Sequence, residues 1–130
     1  MDLQKDFHKY NLITGWGVFL IALLTYGLSV EPTVSFWDCG EYIATSAKLE
    51  VGHPPGAPFF QMVGAFFASF SPSPEKTALF VNFISVFSSA FTILFLYFII
   101  VNFTKKIALS SKETLTNSQV IGLYGSGVVG

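Results

Sequence analysis

Three side chains near the middle of the chain, Asp38, Glu41 and His53, have the types and spacing that chemistry needs. If residues 38–49 are helical, Asp38, Glu41, Tyr42 and Thr45 fall at i, i+3, i+4 and i+7 and share one face. Of two such carboxylates, one can act as general base for an acceptor hydroxyl while the other orients it or binds a metal. Nothing in the sequence requires that metal, so the cofactor question stays open. The bland alternative is equally well formed: Asp38 as N-cap and Glu41 as the N3 partner of a capping box. His53 sits in the turn Gly52-His53-Pro54-Pro55-Gly56. Proline fixes its own φ and pushes the residue before it to extended conformations, so this turn is stiff and aims the imidazole one way. Presented just before a helix N-terminus, the ring suits a phosphate oxygen. Alternatively, His-Pro-Pro merely ends one helix and starts another. Cys39 is the single cysteine, which excludes an intrachain disulfide. Its carboxylate neighbour disfavours a thiolate, so it reads as a small packing residue.

These residues must be held by elements drawn from a very apolar chain. Of 130 residues, 52% are hydrophobic and 12% charged, against the roughly 25% charged of soluble domains. Mean hydropathy is +0.58. The charges cluster and leave uncharged stretches at 10–30, 51–74, 77–104 and 114–130. About 20 apolar residues suffice to cross a bilayer as a helix. A net charge of −1 without arginine gives no footprint for DNA or RNA, so nucleic acid is not an expected partner. The composition implies an all-α integral membrane protein.

The expected organisation is a cytoplasmic N-terminus (1–11) and a first transmembrane helix (12–30), with Trp16 and Tyr26 towards its ends. An extracytoplasmic loop (31–76) and a second transmembrane helix (77–103) follow. A cytoplasmic loop (104–117) then leads to the start of a third span (118–130). A cleaved signal peptide is the rival for the first span, but no small-x-small cleavage site precedes Glu31-Pro32. Five lysines (Lys5, Lys9, Lys105, Lys106 and Lys112) flank the outer ends of the two spans, while 31–76 holds five of the eight acids. The positive-inside rule then puts both termini of the pair in the cytoplasm. Within the loop, two short helices are expected, at 38–49 and 55–70. The second would be roughly 24 Å long, which suits an interfacial or re-entrant helix better than a full span. Ser73-Pro74 reads as an N-cap with proline at the first helical position. Ser85, Ser88, Ser89 and Thr92 offer one small, close-packing face, as do Gly122, Ser126 and Gly130.

Two patterns are decoys. Gly125-Ser126-Gly127-Val128-Val129-Gly130 fits G-x-G-x-x-G, but a dinucleotide site needs a strand before it and an acid about 20 residues on. Asn102-Phe103-Thr104 is a glycosylation sequon at the expected cytoplasmic edge, where no glycan is expected.

The segments Trp37-Asp38-Cys39-Gly40-Glu41-Tyr42 and Lys48-Leu49-Glu50-Val51-Gly52-His53-Pro54-Pro55-Gly56-Ala57-Pro58 resemble the N-terminal part of domain-of-unknown-function family 2723. That family's eukaryotic relatives are protein O-mannosyltransferases, within the GT-C class of membrane glycosyltransferases. The resemblance covers roughly residues 10–105. It implies a first span, a large external loop with an acidic catalytic motif and membrane-parallel helices, and a second span. It also implies Asp38 as base, Glu41 as the motif's second acid, and His53 near a donor phosphate. The implied donor is a polyprenyl-phosphate sugar, with mannose as the sugar, and the acceptor is a protein or glycan hydroxyl. Tyr42 and Lys48 are the further candidate substrate-binding residues. Lys48 and Lys76 are the loop's only cations for a phosphate.

The expectation is therefore the N-terminal fragment of a longer multipass glycosyltransferase, inactive by itself. The alternative from another class is a non-catalytic assembly or transport component whose outer loop binds a partner. There, Asp38, Glu41 and His53 would serve stability alone.

Overall fold

The computed structural model describes residues 6–54, 56–111 and 115–130. Among them every regular element is helical: α1 (Phe7–Ser29), α2 (Cys39–Lys48), α3 (Pro58–Ala68), a 3₁₀ turn (Pro74–Lys76), α4 (Thr77–Ser111) and α5 (Asn117–Val129). Both α1 and α4 are long and apolar enough to cross a membrane. Lys5, Pro55 and Lys112 lie outside the described residues.

The chain divides into two compact units. One is residues 25–88; the other joins the described residues up to 24 with those from 89 onward. In the first unit α2 and α3 pack on the opening turns of α4, burying Ile43, Ala78 and Val81 with Cys39, Phe60, Ala68 and Ile84 around them. The Asn82 amide donates to the carbonyls of Glu31 and Thr33, at 2.9 and 3.0 Å, and so pins the chain that leaves α1.

The second unit is built on notches. Tyr97, 1% exposed, has glycines on two sides. A Cβ on Gly15 of α1 would lie 3.1 Å from its ring and 2.7 Å from Phe98. One on Gly127 of α5 would lie 2.8 Å from the same ring and 2.5 Å from Val101. A separate cluster joins Phe19 to Ala90 and Leu94. At the other end of α1, Phe7 stacks on Tyr124, whose hydroxyl donates to the Phe7 carbonyl at 3.0 Å. Lys105 Nζ lies 3.9 Å above the Phe7 ring. The start of α1 and the Lys105 end of α4 therefore lie on one side of this unit.

Several sequence expectations shift. Helix α1 starts at Phe7 rather than 12, because neither His8 nor Lys9 breaks a helix, and Trp16 therefore falls near its middle. Helix α4 continues past 103 to Ser111, through Lys105 and Lys106. Helix α3 is shorter than 55–70. Gly56 at φ +68° and the restriction that Pro58 places on Ala57 delay its start, and the chain leaves the helix at Ser69. Its 11 residues span roughly 16 Å. Ser73 stands at the N-cap, but its side chain makes no cap bond and instead hydrogen-bonds Glu75. On α4 the packed stripe is Val86, Ala90, Leu94, Tyr97 and Val101, whereas Ser85, Ser88 and Thr92 are exposed. On α5 Gly127 packs closely and so does Gly130, whose added Cβ would lie 2.7 Å from Ile100, whereas Gly122 meets no neighbour. The glycine decoy lies within α5, so no strand-to-helix phosphate loop exists there. Asn102 and Thr104 bond back to the carbonyls of Phe98 and Ile100 in their own helix.

Candidate functional site

Helix α2 carries the acids. Its N-cap is Asp38, with φ −72° and ψ 0°, and the Asp38 side chain makes no cap hydrogen bond. Side-chain capping needs an extended N-cap backbone, so this turn leaves the Asp38 carboxylate uncommitted at the helix N-terminus. Just before it, Trp37 adopts φ +65° and is 94% exposed. A bulky residue in the left-handed region is strained, and here it redirects the chain into α2.

The far end of α2 closes with Leu49 in the left-handed conformation. The Leu49 and Glu50 N–H groups donate to the carbonyls of Ser46 and Thr45. The chain then runs back along the helix. From Glu41 to Leu49 the helix rises about 12 Å, and an extended return from Leu49 to His53 covers about 13 Å. His53 therefore arrives beside Glu41. Glu41 Oε1 accepts the His53 backbone N–H at 2.7 Å, and Oε2 pairs with the ring Nδ1 at 2.7 Å. The capping-box alternative is thereby overturned for Glu41, whose carboxylate faces His53 rather than the Asp38 backbone.

Supporting contacts fix this geometry. The Thr45 hydroxyl donates to the Glu41 carbonyl at 2.8 Å and accepts from the Gln61 amide at 3.2 Å, which ties α2 to α3. Helix crossing is close because Gly64 faces Ser46, where a Cβ would come 2.7 Å from the serine Cβ. The turn after His53 closes when the Gly56 N–H donates to the His53 carbonyl at 2.8 Å. Gln61 and the Ser46–Gly64 crossing had no signal in the sequence, and Gly52 was visible there only as part of the turn, since each matters through a neighbour brought in by the fold.

The electrostatics follow from the pairing. The two hydrogen bonds from His53 hold the Glu41 carboxyl below its ordinary 4.5. The Glu41 bond and charge raise the His53 imidazole above 6.5, and the Asp38 charge adds in the same direction. Asp38 and Glu41 thus both act on His53. Tyr42 turns elsewhere: its ring meets Phe60 edge-on at 5.5 Å. It helps line an open, mainly apolar pocket of about 330 Å³ with Cys39, Ile43, Phe60, Val81, Asn82 and Ser85. Lys48 is exposed in the last turn of α2, at the opposite end from Asp38. Among the described residues, no three His, Cys, Asp or Glu side chains are grouped to hold a metal ion.

Comparison with known proteins adds a family. The model of the protein O-mannosyl-transferase TMEM260 N-terminal domain matches residues 38–130, beginning at Asp38. A protein of Dictyostelium discoideum described as "Protein O-mannosyl-transferase tmem260" is 30% identical over 81 residues, covering 62% of this chain. The matched region is 10% of that relative's length. No solved structure matches the chain.

Proposed function

The chain belongs to the protein O-mannosyl-transferase TMEM260 N-terminal domain family, and we propose that it carries the acceptor-activating loop of a GT-C-type membrane glycosyltransferase. The same reading groups it with domain-of-unknown-function family 2723. The substrate would be a polyprenyl-phosphate sugar, with mannose as the sugar, and the acceptor a hydroxyl of a protein or glycan outside the cytoplasm. The carrying observation is that an uncommitted carboxylate, Asp38, stands at the start of the helix whose Glu41 holds the His53 imidazole, in a loop between two helices able to cross a membrane.

In the proposed reaction the Asp38 carboxylate takes the proton of the acceptor hydroxyl. The acceptor oxygen attacks the anomeric carbon from the face opposite the phosphate. The carbon–oxygen bond to phosphate breaks, the electron pair leaves with the polyprenyl phosphate, and the anomeric configuration inverts. Glu41 is the motif's second acid, His53 faces the leaving phosphate, and Tyr42 and Lys48 border the substrates. The apolar pocket beside Tyr42 suits a donor whose body is a lipid. The proposed topology has 31–76 outside, both ends of the α1–α4 pair in the cytoplasm, and α3 along the interface. The meeting of Phe7 and Lys105 supports a common side for those two ends.

The test is Asp38→Asn in the full reading frame, assayed for transfer from polyprenyl-phosphate mannose. Turnover should fall by ~10²–10⁴-fold, the range for loss of a general base. Near-normal turnover with folded protein would remove Asp38 from the mechanism.

A further inference from the structure

Glu41 directs both oxygens at one residue. Oε1 takes the His53 backbone N–H and Oε2 the ring Nδ1, each at 2.7 Å. This two-point clamp fixes where the ring sits and which edge faces the helix. Because a carboxylate accepts at Nδ1, the proton there is held, and the ring gains or loses its other proton at Nε2. Among the described residues nothing bonds Nε2, and the His53 side chain is 51% exposed. We infer that Glu41 is a positioning residue rather than a second acid of the chemistry: it holds His53 so that Nε2 donates to a phosphate oxygen of the bound donor. This assignment rests on the reading of the loop as a site for a phosphate-bearing lipid.

The surroundings are shaped for the clamp. A Cβ on Gly52 would stand 3.1 Å from Glu41 Oε1 and 3.0 Å from the Gln61 amide nitrogen, so a larger residue before His53 would crowd both of these side chains. Gln61 in turn holds Thr45, whose hydroxyl is bonded to the Glu41 carbonyl. The charged groups acting on His53 are Glu41 and Asp38 of the α2 start, while α3 contributes the neutral Gln61. His53 is raised above 6.5, so its share of the pairing is full below that value and is lost as pH rises through the raised value. Glu41 is lowered below 4.5, so its share is full above that value and is lost as pH falls through the lowered one. The clamped cation therefore persists from mild acid to above 6.5, where an unclamped imidazole would already be discharging.

The experiment uses the full reading frame in nanodiscs with ¹⁵N-labelled histidine rings, His8 serving as internal reference. Farnesyl phosphate and inorganic phosphate are the probes. Glu41→Gln should lower the His53 midpoint towards 6.5. It should also weaken farnesyl phosphate binding roughly tenfold near pH 7.5, and much less near pH 5.5 where the ring is protonated either way. In transfer assays KM for the donor should rise more than kcat falls. An unmoved midpoint, an equal loss of binding at both pH values, or a collapse of kcat at constant KM would each overturn the assignment. His53→Gln keeps an amide donor near the Nε2 position, and His53→Asn keeps one near Nδ1. Better retention of the probe by His53→Gln is expected, and the reverse order overturns the assignment even if Glu41→Gln fails to accumulate. Binding of inorganic phosphate as tightly as farnesyl phosphate would mean that the site reads the headgroup alone. If the unaltered protein transfers no sugar, the enzymatic reading fails, while the midpoint and probe measurements still decide the role of Glu41.

Discussion

The two units solve the same problem with different means. Residues 25–88 tie two short helices together by directional bonds: Glu41 to His53, Thr45 to Glu41 and Gln61, and Asn82 to the chain after α1. In the other unit, long apolar helices are fitted by removing atoms, with Gly15 and Gly127 making room for Tyr97. Charge and hydrogen bonding specify a geometry to within a few tenths of an ångström. Notches specify closeness without setting the direction of a polar group. The proposed chemistry draws on the unit that has the directional bonds.

This contrast can be broken by substitution. The largest effect is expected from Asp38→Asn, the ~10²–10⁴-fold loss of turnover given above, with thermal stability in detergent nearly unchanged. Next comes Gly64→Ala, which drives a methyl into Ser46 and should separate α2 from α3, costing about 1–3 kcal/mol. Because that crossing supports the Thr45–Gln61 link, activity should fall with it, and normal activity at a lowered unfolding temperature would uncouple site from scaffold. Gly127→Ala meets Val101 and the Tyr97 ring and should also cost about 1–3 kcal/mol, but the His53 titration should not move. A shifted His53 midpoint in that variant would contradict the division of labour. The smallest effect belongs to Gly122→Ala, where nothing lies within 4 Å; a helical glycine replaced by alanine there should gain up to about 1 kcal/mol.

The parts legible in the sequence were those written locally. Helical spacing marked α2 and its acids, though Tyr42 turns from Glu41 towards Phe60, and the uncharged runs marked α1 and α4, because periodicity and charge are properties of neighbouring residues. Glu41 and His53 were both visible as candidates, yet their pairing was not. It depends on a left-handed Leu49 that reverses the chain, and nothing in the leucine itself announces that conformation. The start of α3 was misjudged for a related reason: Gly56 and Pro58 act on backbone angles, while the apolar run around them reads as continuous helix. Small residues were recognised as packing devices, but choosing Gly127 over Gly122 requires knowing where Tyr97 lies. Tertiary placement, not composition, distinguishes them.

Cys39 follows Asp38 directly and lines the pocket beside α2 as the chain's one free thiol. Its half-buried sulfur therefore works as a clock. A small alkylating reagent can reach it through the open pocket, with no label introduced by design. Slowing of that reaction by a lipid phosphate would time the occupancy of the pocket in an otherwise unaltered protein.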